Sequence, residues 1–241
     1  VWDTTSTTVF NSIPASQKIR WVRMESHPLS NEIQLLYADD ANDLRALQWT
    51  GTTWTGTNLM TATLQADQNY RCFEVAYCQS SGNAVVVWGG TSDMLYTRQR
   101  DSGDNTWNNQ DFTYGGVGRP THIRMAPRGG TEEIICIYHR NNGRLNLQTY
   151  NGESWTAGTS VDPGAGFPSY YNNIDLDWIG TSGEAIAVWT PLSTTTNEFN
   201  WATWSNGSWT QQTAITTVGG QSGLYSVDVQ NFMQQDKALV V

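Results

Sequence analysis

Ile33-Gln34-Leu35-Leu36-Tyr37 is a short apolar run closed by an aromatic, and it returns as Ala84-Val85-Val86-Val87-Trp88, Ile134-Ile135-Cys136-Ile137-Tyr138 and Ala185-Ile186-Ala187-Val188-Trp189. The closing aromatics at 37, 88, 138 and 189 step by 51, 50 and 51 residues. Spacing that regular marks a repeated structural unit. Outward from each run the same parts recur. One strand precedes it: Trp21 to Met24, Cys72 to Val75, His122 to Met125 and Asp175 to Trp178. A polar turn and a further strand follow: Leu44 to Trp49, Met94 to Arg100, Arg144 to Tyr150 and Glu198 to Trp204. Then a tight turn leads to a Trp, as in Gly51-Thr52-Thr53-Trp54, Gly103 to Trp107, Gly152-Glu153-Ser154-Trp155 and Gly207-Ser208-Trp209. Four strands joined by Gly, Asn and Asp turns make an antiparallel meander.

Such a meander has two apolar faces and cannot cover both by itself, so copies must stack. Four strands in a unit of roughly fifty residues is the period of a propeller blade. No apolar pattern at helical spacing competes with it. The expected fold is therefore all-β, a single domain over 1–241 forming a β-propeller of four-stranded antiparallel blades, about five in number. Four are complete, at about 17–66, 67–117, 118–169 and 170–220, and a partial blade combines 221–241 with 1–13. In that blade Tyr225 to Val229 repeats the first strand, Ala238-Leu239-Val240-Val241 the second, and Trp2 stands where Trp54 and Trp209 stand. Its third strand is missing. Three readings follow: a five-bladed ring with one incomplete blade, a window from a longer chain, or a strand supplied by a neighbouring subunit.

The composition of 22 Gly, 12 Trp and 10 Tyr with only 15% charged residues suits a turn-rich β protein. Thirteen Lys and Arg against 22 Asp and Glu give a net charge of −9, which repels nucleic acid and anionic membrane surfaces. No apolar stretch is long enough for a spanning helix. Val1-Trp2-Asp3 has neither an initiator Met nor a signal peptide, the expectation for a mature or excised piece. Low Lys with abundant Thr, Asn and Trp points to a secreted or cell-surface protein. Cys72 and Cys78 lie about 20 Å apart along one strand, too far to pair with each other, so buried free thiols are expected, Cys136 included.

The segment Leu36-Tyr37-Ala38-Asp39-Asp40-Ala41-Asn42-Asp43-Leu44-Arg45, continuing to Trp49 and Gly51-Thr52-Thr53-Trp54, resembles the blades of fucose-binding lectins, and its cadence returns in the other copies. Those lectins bind sugars between blades with an Arg, an acidic residue and an aromatic platform. The resemblance implies a lectin-like adhesin or component of a surface assembly whose partner is a glycan or cell-surface polymer; self-association through the incomplete blade is the expectation from its missing third strand. Arg45 and Trp49 suggest the binding set, while the corresponding pairs are Leu95 with Arg100, Leu145 with Tyr150 and Phe199 with Trp204, so the Arg is not repeated. Tyr150, Trp201 and Trp204 are further ligand-facing candidates, since indoles and phenols stack on sugar rings. The turn Asp101-Ser102-Gly103-Asp104-Asn105-Thr106-Trp107 is similar to the Asp-box of sialidase-like propellers, with one residue too many between Gly and Trp. In those families the box is a folding device.

Aligned first strands share one polar position: Arg23, Glu74, Arg124, Asp177 and Asp228. This predicts a ring of mixed charge along the channel, either a polar site for a small cation or sugar or a paired network that neutralises itself. The enzyme reading is a propeller glycosidase using Asp177, Asp228 and Glu74, since glycoside hydrolysis needs two carboxylates about 5–10 Å apart. The arginines of the same ring oppose it by holding those carboxylates ionised. Asp39, Asp40 and Asp43 crowd one turn with oxygen ligands suited to Ca²⁺, although their spacing matches no calcium loop. Asn206-Gly207-Ser208 fits a glycosylation sequon. His27, His122 and His139 are too scattered in sequence to suggest a metal cluster, and no cofactor motif is present.

Overall fold

The computed structural model describes residues 17–64, 70–108, 111–115, 118–161, 173–190, 198–216, 227–232 and 237–240. The apolar runs form the second strand of each of four antiparallel sheets. Sheet 1 contains β1 (Ile19–Ser26), β2 (Ile33–Asp39), β3 (Leu44–Trp49) and β4 (Trp54–Thr61) in that order. Sheet 2 contains β5 (Phe73–Tyr77), β6 (Ala84–Gly89), β7 (Met94–Arg100) and β8 (Asp111–Gly115). Sheet 3 follows with β9 (Pro120–Pro127), β10 (Ile134–Arg140), β11 (Leu145–Tyr150) and β12 (Thr159–Val161). Sheet 4 has β13 (Ile174–Ile179), β14 (Glu184–Trp189), β15 (Glu198–Ser205) and β16 (Ser208–Gln211), with β17 (Ile215–Thr216) also paired to β15. A last hairpin joins β18 (Val229–Phe232) to β19 (Lys237–Val240). No helix occurs among the described residues.

The first strands touch in series, β1 on β5, β5 on β9, β9 on β13 and β13 on β18, so the sheets stack face to face. Each seam has its own core. Leu36, Ala38, Leu44 and Ala46 of sheet 1 meet Phe73, Val75, Val86 and Trp88 of sheet 2. Ala76, Val85, Val87 and Leu95 of sheet 2 meet Ile123, Met125, Ile134 and Tyr138 of sheet 3. Ile135, Ile137, Leu145 and Leu147 of sheet 3 meet Ile174, Leu176, Trp178 and Trp189 of sheet 4. Val188 of sheet 4 then meets Val227 and Val229. The periodic aromatics Tyr37, Trp88, Tyr138 and Trp189 are all buried; Trp88, Tyr138 and Trp189 pack against the preceding sheet, and Tyr37 against Leu35 and Leu47 of its own. Burying one such side chain contributes about 2–3 kcal/mol, which is why the aromatic recurs at this position. Trp178 adds a hydrogen bond across the seam, its Nε1 donating to the Ala126 carbonyl at 3.0 Å.

The fourth strands depart from the expected pattern. Trp54 opens β4 and Trp209 lies within β16, but Trp107 and Trp155 make single bridges to Arg100 and Tyr150. The chain then leaves the ladder and rejoins it at β8 and β12. At the tip of sheet 4, Asn206 and Gly207 have φ of 50° and 83°, the two positive values a two-residue hairpin requires between Ser205 and Ser208. The sequon therefore sits on an exposed turn. The segments 1–13 and Tyr225–Ser226, including Trp2, lie outside the described residues.

Candidate functional site: an axial charge ladder and aromatic rims

Strand register decides which side chains share a level. Arg23 pairs with Leu36, Glu74 with Val87, Arg124 with Ile137 and Asp175 with Val188, in each case one residue before the periodic aromatic. Asp177 pairs instead with Ile186, one pleat further along the same face of β13, and its Oδ1 accepts the Trp178 backbone N–H at 2.8 Å. The fourth rung is thus Asp175, and the steps 23, 74, 124 and 175 repeat the 51, 50 and 51 of the aromatics. The sequence alignment had placed Asp177 there.

The rungs are linked across successive seams. Glu74 is completely buried and accepts a hydrogen bond from Arg23 Nε; Arg71 Nη2 donates to its other oxygen at 3.2 Å. Arg124 stands 3.9 Å from Glu74 on one side and 3.6 Å from Asp175 on the other. Asp175 Oδ2 accepts the Val229 backbone N–H at 2.7 Å, which fastens β18 to sheet 4. Burial raises the Asp175 carboxyl to about 7, reinforced by the hydrogen bond that protonated Asp175 donates to the Asp228 carboxylate and by the charge of that carboxylate. Asp228 itself is exposed at the entry to β18. A carboxylate held by three guanidiniums has no protein surface left for substrate, so Glu74 supports structure. Among the described residues of the ladder, Asp175 and Asp228 form a carboxyl pair able to share a proton.

The aromatic candidates divide by exposure. Tyr150 is buried, its OH donates to the Gly152 carbonyl at 2.7 Å, and its ring lies 5.3 Å from Trp155. Trp204 is buried against Trp209 at 5.6 Å. Trp49 makes the same rim pair with Trp54 at 5.7 Å but stays half-buried. Trp201 is also half-buried, with its Nε1 donating to the Thr213 carbonyl at 2.9 Å. Arg45 lies two and four residues before Leu47 and Trp49 on one face of β3, and its Nη2 meets Asp43 Oδ2 at 2.7 Å. Arg45 and Trp49 therefore share a face, whereas Tyr150, Trp201 and Trp204 belong to other sheets.

In sheet 2 the rim aromatic is replaced by Arg100, which sequence reading left unassigned. It is buried and reaches back across the seam to Glu32 at 3.5 Å while Nη2 donates to Asn105 Oδ1. That contact makes the Asp-box-like turn part of a clamp, with Gly103 N–H donating to Asp101 Oδ1 at 2.7 Å.

The acidic turn is occupied by its own backbone. Asp39 Oδ1 accepts the N–H groups of Ala41 and Asp43, both at 3.0 Å, Asp40 Oδ1 accepts that of Lys18 at 2.9 Å, and Asp43 is paired with Arg45. Among the described residues no group of three His, Cys, Asp or Glu side chains is placed to hold a metal ion. The three cysteines are buried free thiols, and burial lifts the Cys72 thiol to about 12. His122 and His139, far apart in sequence, face each other across β9 and β10. Thr121 Oγ1 lies 2.8 Å from His139 Nδ1, and the Tyr70 ring meets His122 edge-on at 6.2 Å.

No family model and no curated protein matches the chain. Solved structures do. A lectin of Burkholderia pseudomallei superposes with a TM-score of 0.67 at 14% identity, covering 87% of this chain and 59% of its own. AofleA of Arthrobotrys oligospora gives 0.58 at 14% identity, over 88% of this chain and 64% of its own. The lectin of Aleuria aurantia, described as a six-bladed β-propeller with a novel mode of fucose recognition, gives 0.53 at 18% identity, over 88% and 66%. The chain spans less than two thirds of the length of these three proteins. Its stacked four-stranded sheets are similar to the blades of lectin β-propellers.

Proposed function

We propose that the chain is a carbohydrate-binding module, a lectin-like propeller of about five blades that works outside the cell at a glycan-bearing surface. The observation carrying this reading is the Arg45, Asp43 and Trp49 group on one face of sheet 1. It combines charged hydrogen-bond donors and acceptors with a half-buried indole at a blade rim. Sugars are recognised by that combination, hydroxyls by charge-assisted hydrogen bonds and the apolar ring face by an aromatic. Trp201 offers a second indole at the rim of sheet 4. The fold likeness supports the same reading, because a mutant of the Aleuria lectin and the SapL1 lectin were solved with α-methyl fucoside. A glycan array with the purified protein tests it. Binding to a defined set of neutral glycans is expected, weakened about tenfold or more by Trp49→Ala. An array on which no glycan binds overturns the proposal.

A glycosidase reading draws on one observation, the raised carboxyl of Asp175 beside Asp228. It requires hydrolysis of aryl glycosides that is abolished by Asp175→Asn or Asp228→Asn. Absence of hydrolysis, or hydrolysis surviving both changes, removes it.

A further inference from the structure

The seams between the four sheets share a backbone plan but differ in chemistry at one level. Register places Glu25, Gln34 and Gln48 in a row on the face of sheet 1 that meets sheet 2. The matching rows are Ala76, Val85 and Gln99 in sheet 2 and Ala126, Ile135 and Thr149 in sheet 3. Across the first seam stand Tyr77, Arg98 and Arg100 of sheet 2. Their counterparts are Pro127, Gln148 and Tyr150 in sheet 3 and Trp178, Ala202 and Trp204 in sheet 4. A level that the last of these seams fills almost entirely with apolar side chains is thus polar and charged throughout in the first.

These polar groups do not satisfy one another. Gln34, Tyr77 and Arg100 are buried and Arg98 is half-buried. Gln34 Oε1, Tyr77 OH, Arg98 Nε and Arg100 Nη1 are buried atoms with no hydrogen-bond partner among the described residues. The Gln34 amide is oriented by its Nε2, which donates to the Leu47 carbonyl at 2.7 Å, so its oxygen is the group left over. Arg100 spends Nη2 on Asn105 and on Glu32, which leaves Nη1. Arg98 and Arg100 share one face of β7, Tyr77 lies in the row of Arg100, and the charges of Arg100, Glu32 and Glu25 all act on the Tyr77 hydroxyl. Buried polar groups are paired as a rule, so this set calls for a partner that the two sheets do not supply.

The shortage is one of acceptors. Two guanidinium N–H groups and a phenol O–H stand against a single spare amide oxygen, and guanidiniums pair best with the two oxygens of a carboxylate. We propose that the seam between sheets 1 and 2 binds a small hydroxylated carboxylate, with Arg98, Arg100 and Tyr77 donating to the carboxylate and Gln34 Oε1 accepting from a hydroxyl of the same ligand. Glu32, 3.5 Å from Arg100 and 24% exposed, offsets part of the guanidinium charge and brings the seam to solvent. An acidic sugar and a free hydroxy acid both carry this chemistry. The site does not rest on the neutral-glycan reading, whose Arg45 and Trp49 lie on the opposite face of sheet 1.

Isothermal titration calorimetry of the purified protein with D-glucuronate, acetate and D-glucose at low ionic strength tests it. Glucuronate should bind and glucose should not. Glucuronate bound more tightly than acetate assigns the site to an acidic sugar, and equal binding assigns it to free carboxylates; either result carries the proposal. Tyr77→Phe and Arg98→Gln should each weaken glucuronate binding about tenfold or more. Because the Tyr77 hydroxyl has no partner to lose, Tyr77→Phe should leave the denaturation midpoint of the protein alone unchanged or raised. No heat with either acid, glucose binding as well as glucuronate, binding indifferent to both substitutions, or a midpoint lowered by Tyr77→Phe overturns the proposal.

Discussion

The seam between sheets 2 and 3 and the seam between sheet 4 and the last hairpin stand on the same ladder, yet their ionisable groups respond to pH in opposite directions. In the first, Glu74 is surrounded by Arg23, Arg71 and Arg124, and the imidazoles of His122 and His139 are buried opposite one another on β9 and β10. Burial and the nearby Arg71 pull His122 down to about 4, and burial followed by His122 pulls His139 down to about 3. In the second seam two carboxyls meet with only Arg124 for compensation, and Asp175 is held up near 7. The backbone plan is shared; burial disfavours the charged form in both seams, and the sign of the response follows from whether the buried group is an imidazole or a carboxyl, with neighbouring charges reinforcing it.

The largest expected effect breaks the first seam. Glu74→Ala leaves three guanidiniums facing one another in a buried site and should destabilise the fold by about 3–5 kcal/mol, read as a lower denaturation midpoint. A change below about 1 kcal/mol would show that the ladder is not buried as described.

Acid is the next probe. Imidazoles whose folded pKa lies below the ordinary 6.5 make the unfolded chain bind protons first. Stability is full above 6.5 and falls as pH drops toward 4 and then 3, by about 1.4 kcal/mol per pH unit for each ring in its window. Tyr70, Arg71 and Thr121 are packed against the pair. His139→Gln should therefore flatten the acid limb of a pH–stability curve, and an unchanged limb would sink this account.

The second seam has the reverse sign. Asp175 has a folded pKa above its ordinary 3.8, so its contribution is present at low pH and is lost as pH rises through about 7. Asp175→Asn keeps an acceptor for the Val229 N–H and removes the titration. It should flatten stability between pH 4 and 7, so that the variant gains on the wild type by about 1.4 kcal/mol for each pH unit in that window. Chemical denaturation at several pH values measures both seams in one series and separates them by slope.

Much of this was readable before any coordinates, and the misses have physical causes. The periodic aromatics gave the stacked sheets because a side chain of that size recurs only where the same seam recurs, and Arg23, Glu74 and Arg124 fell on the same period. Asp177 was mistaken for the fourth rung because Asp175 and Asp177 are both acids on one face of a strand, and alternation by two cannot rank them. Counting back from Trp189 as from Trp88 would have selected Asp175. The His122 and His139 pair was hidden because seventeen residues separate two side chains that a hairpin brings opposite one another. The covering of Tyr150 and Trp204, against the half-exposure of Trp49, depends on how neighbouring sheets overlap at the rim, which no local pattern encodes.

Repeated sheets of nearly equal size invite assembly in the wrong order during folding, one copy skipping its neighbour to pack on the next. The alternation of sign along the ladder penalises that error. If sheet 2 were bypassed, Arg23 would come to face Arg124, and if sheet 3 were bypassed, Glu74 would face Asp175. Each mistake sets like charges together in a place with little water, a repulsion of several kcal/mol that the sequential order avoids.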